Sequence, residues 1–152
     1  MRAAIALLLT LAACGGSPDP EPSPGTASPT LTIVTDDGDV TLDVEVADDD
    51  EERQVGLMNR EELAPIDGMV FVWEEEVRTG FWMKDTLIPL SIAFWDERGR
   101  IIEIADMQPC HADECPSYGP GVPFVGALEV YLGFFEAPGV SVGDRVTIAG
   151  AA

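Results

Sequence analysis

The sequence predicts a mainly β domain, either a sandwich or a partly closed barrel, with one short helix. Three observations carry this expectation. Short runs of β-branched and aromatic residues recur at even spacing from Leu31 to Ile148. Glycine, proline and acidic clusters separate those runs. Only the stretch after Ala47 has a helix-start signature.

Leu31–Thr35 and Asp39–Val46 read as a hairpin, with Asp36–Asp39 as its turn and Gly38 free to take positive φ. In the second strand Val40, Leu42, Val44 and Val46 alternate with Thr41, Asp43 and Glu45, the period-two pattern of a half-buried strand. Asp48–Asp50 can cap a helix, and Glu51 and Glu52 suit its positive N-terminal end. A helix is expected over Glu51–Met58, with Val55 and Leu57 or Met58 turned inward, ended by Ala64-Pro65. Strands follow at Met69–Trp73, Thr79–Met83, Leu90–Trp95, Arg100–Met107, Phe124–Leu132 and Arg145–Ile148. Asp67-Gly68, Glu74–Glu76, Asp96–Gly99, the Pro-rich 116–123 segment and Gly143-Asp144 separate them. No internal repeat and no second apolar span is present.

Ahead of this domain the chain reads as targeting. Arg2 is a minimal positive region, and Ala3–Ala12 is an apolar run too short to span a bilayer. It ends in Leu11-Ala12-Ala13-Cys14, which resembles the bacterial lipobox. Residues 1–13 are therefore expected as a lipoprotein signal peptide, with lipid added to Cys14. An ordinary signal peptide that leaves Cys14 a free thiol is the alternative. Residues 14–30 carry five prolines among Gly, Ser and Thr. Such a segment cannot bury enough apolar surface to offset its ordering entropy, and reads as an extended tether. Residues 31–152 form the single β-rich domain. It is expected outside the cytoplasm, anchored to an envelope membrane on its periplasmic or cell-surface face.

Formal net charge is −20 over 152 residues. Loss of residues 1–13 removes Arg2 and no acid, so the mature chain is one unit more negative. Nucleic acid is excluded as a partner, since phosphate binding needs a cationic surface. The acids cluster at Asp36–Asp39, Asp48–Glu52 and Glu74–Glu76. A solvated surface is the plain reading. None of these clusters has the alternating ligands and closing Glu of a calcium loop.

The densest chemistry lies in Phe81-Trp82-Met83-Lys84-Asp85-Thr86, followed by Ile88-Pro89-Leu90. On a strand, Phe81, Met83 and Asp85 face one way, and Trp82, Lys84 and Thr86 the other. Both faces begin apolar and end polar, as at the rim of a pocket. Lys84 is the only lysine in the chain. Its bland reading is a stem packed on apolar surface with the head in a salt bridge.

Upstream stand Gly56-Leu57-Met58-Asn59-Arg60 and Gly68-Met69-Val70-Phe71; downstream stands Ala127-Leu128-Glu129-Val130. With Phe81–Leu90, this ordered set resembles the family called domain of unknown function 192, over about residues 31–149. The family consists of small bacterial and archaeal proteins, often made with a signal peptide. The resemblance implies a compact β barrel or jelly-roll-like sandwich. It implies no biochemical activity and assigns no catalytic residue. Asp85 stands where the family usually has Asn, and Ser91 where it usually has Asp. Residue by residue, the resemblance picks out Met58, Arg60, Phe81, Trp82, Met83, Lys84, Asp85, Thr86 and Glu129. Such a mixture suits a small polar-ligand pocket, with aromatic faces for a ring and charges for orientation. It equally suits a buried ion-pair network, with Arg60 or Lys84 paired to Asp85 or Glu129.

Cys110 and Cys115 remain once Cys14 carries lipid. In an oxidising compartment they are expected as a disulfide, pinning a loop that brings Tyr118 over the pocket. A redox pair is disfavoured because the spacing is not Cys-x-x-Cys. A copper or zinc site using Cys110, His111, Asp113 and Cys115, with Met58, Met83 and Met107, is the further alternative.

These observations favour a lipid-anchored, monomeric binding module for a small solute, glycan or envelope partner, with no cofactor. A metal-binding lipoprotein is one alternative. A hydrolase using Asp85 and Glu129 as a carboxylate pair is another. A structural envelope protein with a filled pocket is the last.

Overall fold

A computed structural model describes residues 28–150. The signal segment, Cys14 and nearly all of the tether lie outside the described residues. The chain forms β1 (Thr30–Thr35), β2 (Gly38–Ala47), helix α1 (Asp50–Val55), β3 (Gly68–Val77), β4 (Phe81–Trp82) and β5 (Leu90–Trp95). It continues through β6 (Ile101–Met107), β7 (Ser117–Tyr118), β8 (Phe124–Tyr131), a 3-10 turn (Phe134–Glu136) and β9 (Arg145–Ala149).

Seven strands make one curled sheet in the order β6-β5-β8-β3-β2-β1-β9; β4 and β7 pair separately. Among the described strand pairs only β2 and β3 run parallel, because α1 and the following loop carry the chain across between them. The two edge strands meet at one end. The Ile101 N–H donates to the Asp144 carbonyl at 2.9 Å, and the Val146 N–H to the Gly99 carbonyl at 2.7 Å. The expected partly closed barrel is therefore what the sheet forms.

Period two puts two cores on the sheet's two faces. Leu31, Ile33, Leu42, Val44, Val70, Ala93, Leu128 and Val130 fill the curl. Met69, Phe71, Ile92, Phe94 and Ala127 face the other way, against Leu57, Leu63, Met83 and Ile88 of the covering segments. Gly68 is required where β3 meets β8. A Cβ there would stand 2.4 Å from the Glu129 carbonyl oxygen.

Several elements differ from expectation. The helix starts as expected, with the Asp49 carboxylate accepting from the Glu52 N–H at 2.8 Å. It stops at Val55, not Met58, because Gly56 turns the chain at φ 47°. Val55 consequently points outward and is 52% exposed, while Leu57 is buried. The strand expected over Thr79–Met83 shrinks to Phe81–Trp82. β3 runs on through Glu74–Glu76, whose side chains are solvent-exposed and need no apolar partner. β7 lies in the Pro-rich segment expected only to separate strands.

Candidate ligand-binding pocket

β8 places Glu129 between Met69 of β3 and Ile92 of β5. All three belong to the face covered by α1, β4 and the connecting loops. Glu129 is only 5% exposed. Burial pushes its carboxyl from 4.5 up to about 8, so it is mostly protonated at neutral pH. Among the described residues every fully enclosed side-chain oxygen or nitrogen has a partner. Glu129 has no hydrogen bond of its own; its carboxyl opens on a cavity instead.

That cavity is about 380 Å³ and is walled by α1, by β3, by the Thr79–Trp82 segment and by Thr86, with Glu129 among its lining residues. The aromatic part of the wall is Phe71, Trp73, Phe81 and Trp82. Phe81 meets Phe71 edge to face, with ring centroids 4.9 Å apart, and Trp73 at 6.2 Å. Gly56 is also in the wall. A Cβ on it would approach the Phe71 ring to 3.3 Å. On the helix side Arg53 lies over Trp73, 5.2 Å from the ring centroid. Its guanidinium is committed to protein groups. Nη1 donates to the Asp48 and Val72 carbonyls, and Nη2 pairs with Asp50 at 2.8 Å.

Of the residues singled out in the sequence, Met58, Phe81, Trp82, Thr86 and Glu129 line this cavity. Met83, Lys84, Asp85, Tyr118 and Arg60 do not. Met83 is buried, and its carbonyl accepts the N–H groups of Thr86 and Cys110, each at 3.3 Å. Tyr118 pairs with Phe81 across β4 and β7 and packs on the outer core. Asp85 is exposed at φ 55°, a conformation that Asn and Asp tolerate better than other side chains. Asp in place of the Asn seen in the family preserves that tolerance. Its carbonyl accepts the Asn59 N–H at 2.8 Å.

Among the described residues the ion-pair network, the alternative reading of these residues, does not form. Arg60 instead holds Glu45 through both guanidinium Nη atoms, one at 3.0 Å. Among the described residues Lys84 makes no salt bridge; Nζ donates to the Ala112 carbonyl at 3.4 Å. That contact fastens the loop closed by the Cys110–Cys115 disulfide, whose Cα atoms are 5.8 Å apart. The disulfide is as expected and leads into β7. The two cysteine sulfurs proposed as metal ligands are bonded to each other. Among the described residues no three His, Cys, Asp or Glu side chains are grouped to hold a metal ion. Ser91 is buried in β5, donates to Asp106 at 2.6 Å and accepts from the Gly133 N–H. It joins strands outside the cavity.

Among the cavity residues not legible beforehand are Arg53 and Trp73. The available signals were an arginine inside an acidic helix start and a tryptophan directly before an acidic run.

The chain matches the model of domain of unknown function 192, an uncharacterized ACR family, over residues 32–148. It is 34% identical to a candidate transcription regulator from Sinorhizobium meliloti 1021, with a TM-score of 0.71. That match covers 80% of this chain and 94% of the other. A protein of unknown function from Novosphingobium aromaticivorans DSM 12444 is 29% identical with a TM-score of 0.69, over 78% of this chain and 83% of the other. No curated protein matches. The chain belongs to the family called domain of unknown function 192.

Proposed function

We propose that this family member is a non-enzymatic binding module, displayed outside the cytoplasm on a lipid at Cys14, that takes one small ligand into the cavity beside Glu129. The observation that carries the reading is the Glu129 carboxyl, buried in an apolar face without a partner and open to a cavity. A ligand group can hydrogen-bond to that carboxyl, and the aromatic wall supplies contact area.

Other chemistries draw less support. Glycoside hydrolysis needs two carboxyl groups flanking one bond, and Asp85 lies outside the cavity wall. The name of the Sinorhizobium relative does not carry over, because a formal charge of −20 repels nucleic acid. The lipobox and proline-rich tether support envelope anchoring.

The reading is tested by a thermal-shift screen of the full chain in a maltoside detergent. Sugars, nucleotides, amino acids, amines, cell-wall fragments and metal ions are compared on wild type and Glu129→Gln. A ligand at 100 times its dissociation constant stabilises by about 2.7 kcal/mol, or roughly 10 °C here. A hit lost in Glu129→Gln supports the pocket. Hits indifferent to Glu129 and to Trp82→Ala contradict it. Membrane release of Cys14→Ala tests the anchor separately.

A further inference from the structure

We infer that the cavity takes a small organic ammonium ion, with its cation between the aromatic side chains and the Glu129 carboxylate. This rests on the binding-module reading. The wall brings together the aromatic residues Phe71, Trp73, Phe81 and Trp82. Aromatic faces carry negative potential and attract cations. One already does so, since Arg53 lies over Trp73. The cations near the site are committed elsewhere. Arg53 goes to Asp50 and two carbonyls, Arg60 to Glu45, and Lys84 to the Ala112 carbonyl. Among the described residues the cavity wall's one cation, Arg53, is thus paired away from Glu129, the carboxyl group at the apolar floor.

An anionic ligand would meet an acidic chain and a desolvated carboxyl. A cation is drawn in by a formal charge of −20. The titratable or charged groups in the cavity wall are Asp50 and Arg53 of α1 and Glu129 of β8. The residues flanking Glu129 in β3 and β5 are uncharged Met69 and Ile92. Asp50 and Arg53 pair with each other, which leaves Glu129 as the group that answers the ligand. On binding, the ammonium keeps its protons. The protonated Glu129 releases one proton to solvent and becomes the counter-ion. Affinity therefore rises with pH, about tenfold per unit until Glu129 is ionised in the free protein, and then levels off.

The test is calorimetric titration of the full chain in maltoside with butylammonium, tetramethylammonium, butanol and pentanoate, at several pH values below and above 8. The expected result is that the ammonium ions bind, more tightly as pH rises, and that butanol and pentanoate bind at least about tenfold more weakly. Glu129→Gln should weaken the ammonium ions on the order of tenfold to a hundredfold. Trp82→Ala, at an exposed position, should also weaken them in a folded protein. Butanol binding as tightly as butylammonium, and depending on Trp82, overturns the cation inference and leaves the binding module standing. Absence of ammonium binding also overturns the inference. The module reading then falls only if the broader screen finds no ligand that depends on Glu129 or Trp82.

Discussion

On the enclosed face of strands β3, β5 and β8, Val70, Ala93, Leu128 and Val130 are at most 1% exposed and meet other apolar side chains. On the opposite face of the same strands Met69, Ile92 and Ala127 surround Glu129, and the cover leaves a cavity above it. The strands are shared, so their propensities do not make the difference. What differs is the cover. The enclosed face is closed by the sheet's own curl, whose edge strands hydrogen-bond to one another. The outer face is covered by a six-residue helix, two strands of two residues each and a disulfide loop. Pieces that short bury little area each and do not interdigitate like two sheets. A gap with Glu129 at its sheet-side floor is the result. Both faces carry a buried apolar core, and the proposed binding site lies on the one with the piecemeal cover.

The largest effect should come from the enclosed face. Leu128→Ala should cost about 2–5 kcal/mol in urea unfolding, because nothing there can collapse into the hole. A loss well below that would mean the enclosed core is loosely packed and would erase the contrast. Next, replacing Cys110 and Cys115 together by Ser should cost about 2 kcal/mol from loop entropy. Hydrogen exchange should then quicken in β4 and β7 while β8 stays protected. Equal loosening of both regions would break the comparison.

A third effect is pH dependence. Glu129 holds its proton up to about 8 in the folded chain, against 4.5 ordinarily. Above 4.5 the unfolded chain loses that proton first, so the folded chain binds more protons and stability falls as pH rises. The contribution is fully present below 4.5 and is lost through 8, at about 1.4 kcal/mol per pH unit. Subtracting the Glu129→Gln stability profile from that of wild type should isolate this slope. A flat difference would contradict it. The smallest stability change should come from Trp82→Ala. At 55% exposure it should move stability by no more than about 0.5 kcal/mol while weakening any cavity ligand.

Much of the fold was legible in the sequence. The alternation of Val40, Leu42, Val44 and Val46 and the apolar run Leu90–Trp95 mark strands at their observed positions. The elements that escaped are those decided by tertiary context. Ser117–Tyr118 is a strand only because Phe81–Trp82 lies beside it. Glu74–Glu76 extends β3 because its side chains project into solvent. The site was half legible. Glu129 stood out within a motif, but its cross-strand neighbours Met69 and Ile92 are far away along the chain. Lys84 stood out as a lone lysine beside aromatics, whereas its head group fastens the disulfide loop. Composition marks an unusual residue without saying which atoms it meets.

The most direct test is a carbon NMR titration of the Glu129 carboxyl, assigned by its loss in Glu129→Gln. A buried carboxyl open only to the cavity should titrate with a midpoint of about 8 in the free protein. A midpoint in the ordinary range near 4.5 would show a solvated or paired carboxylate, and would contradict the assignment of this face as the binding site.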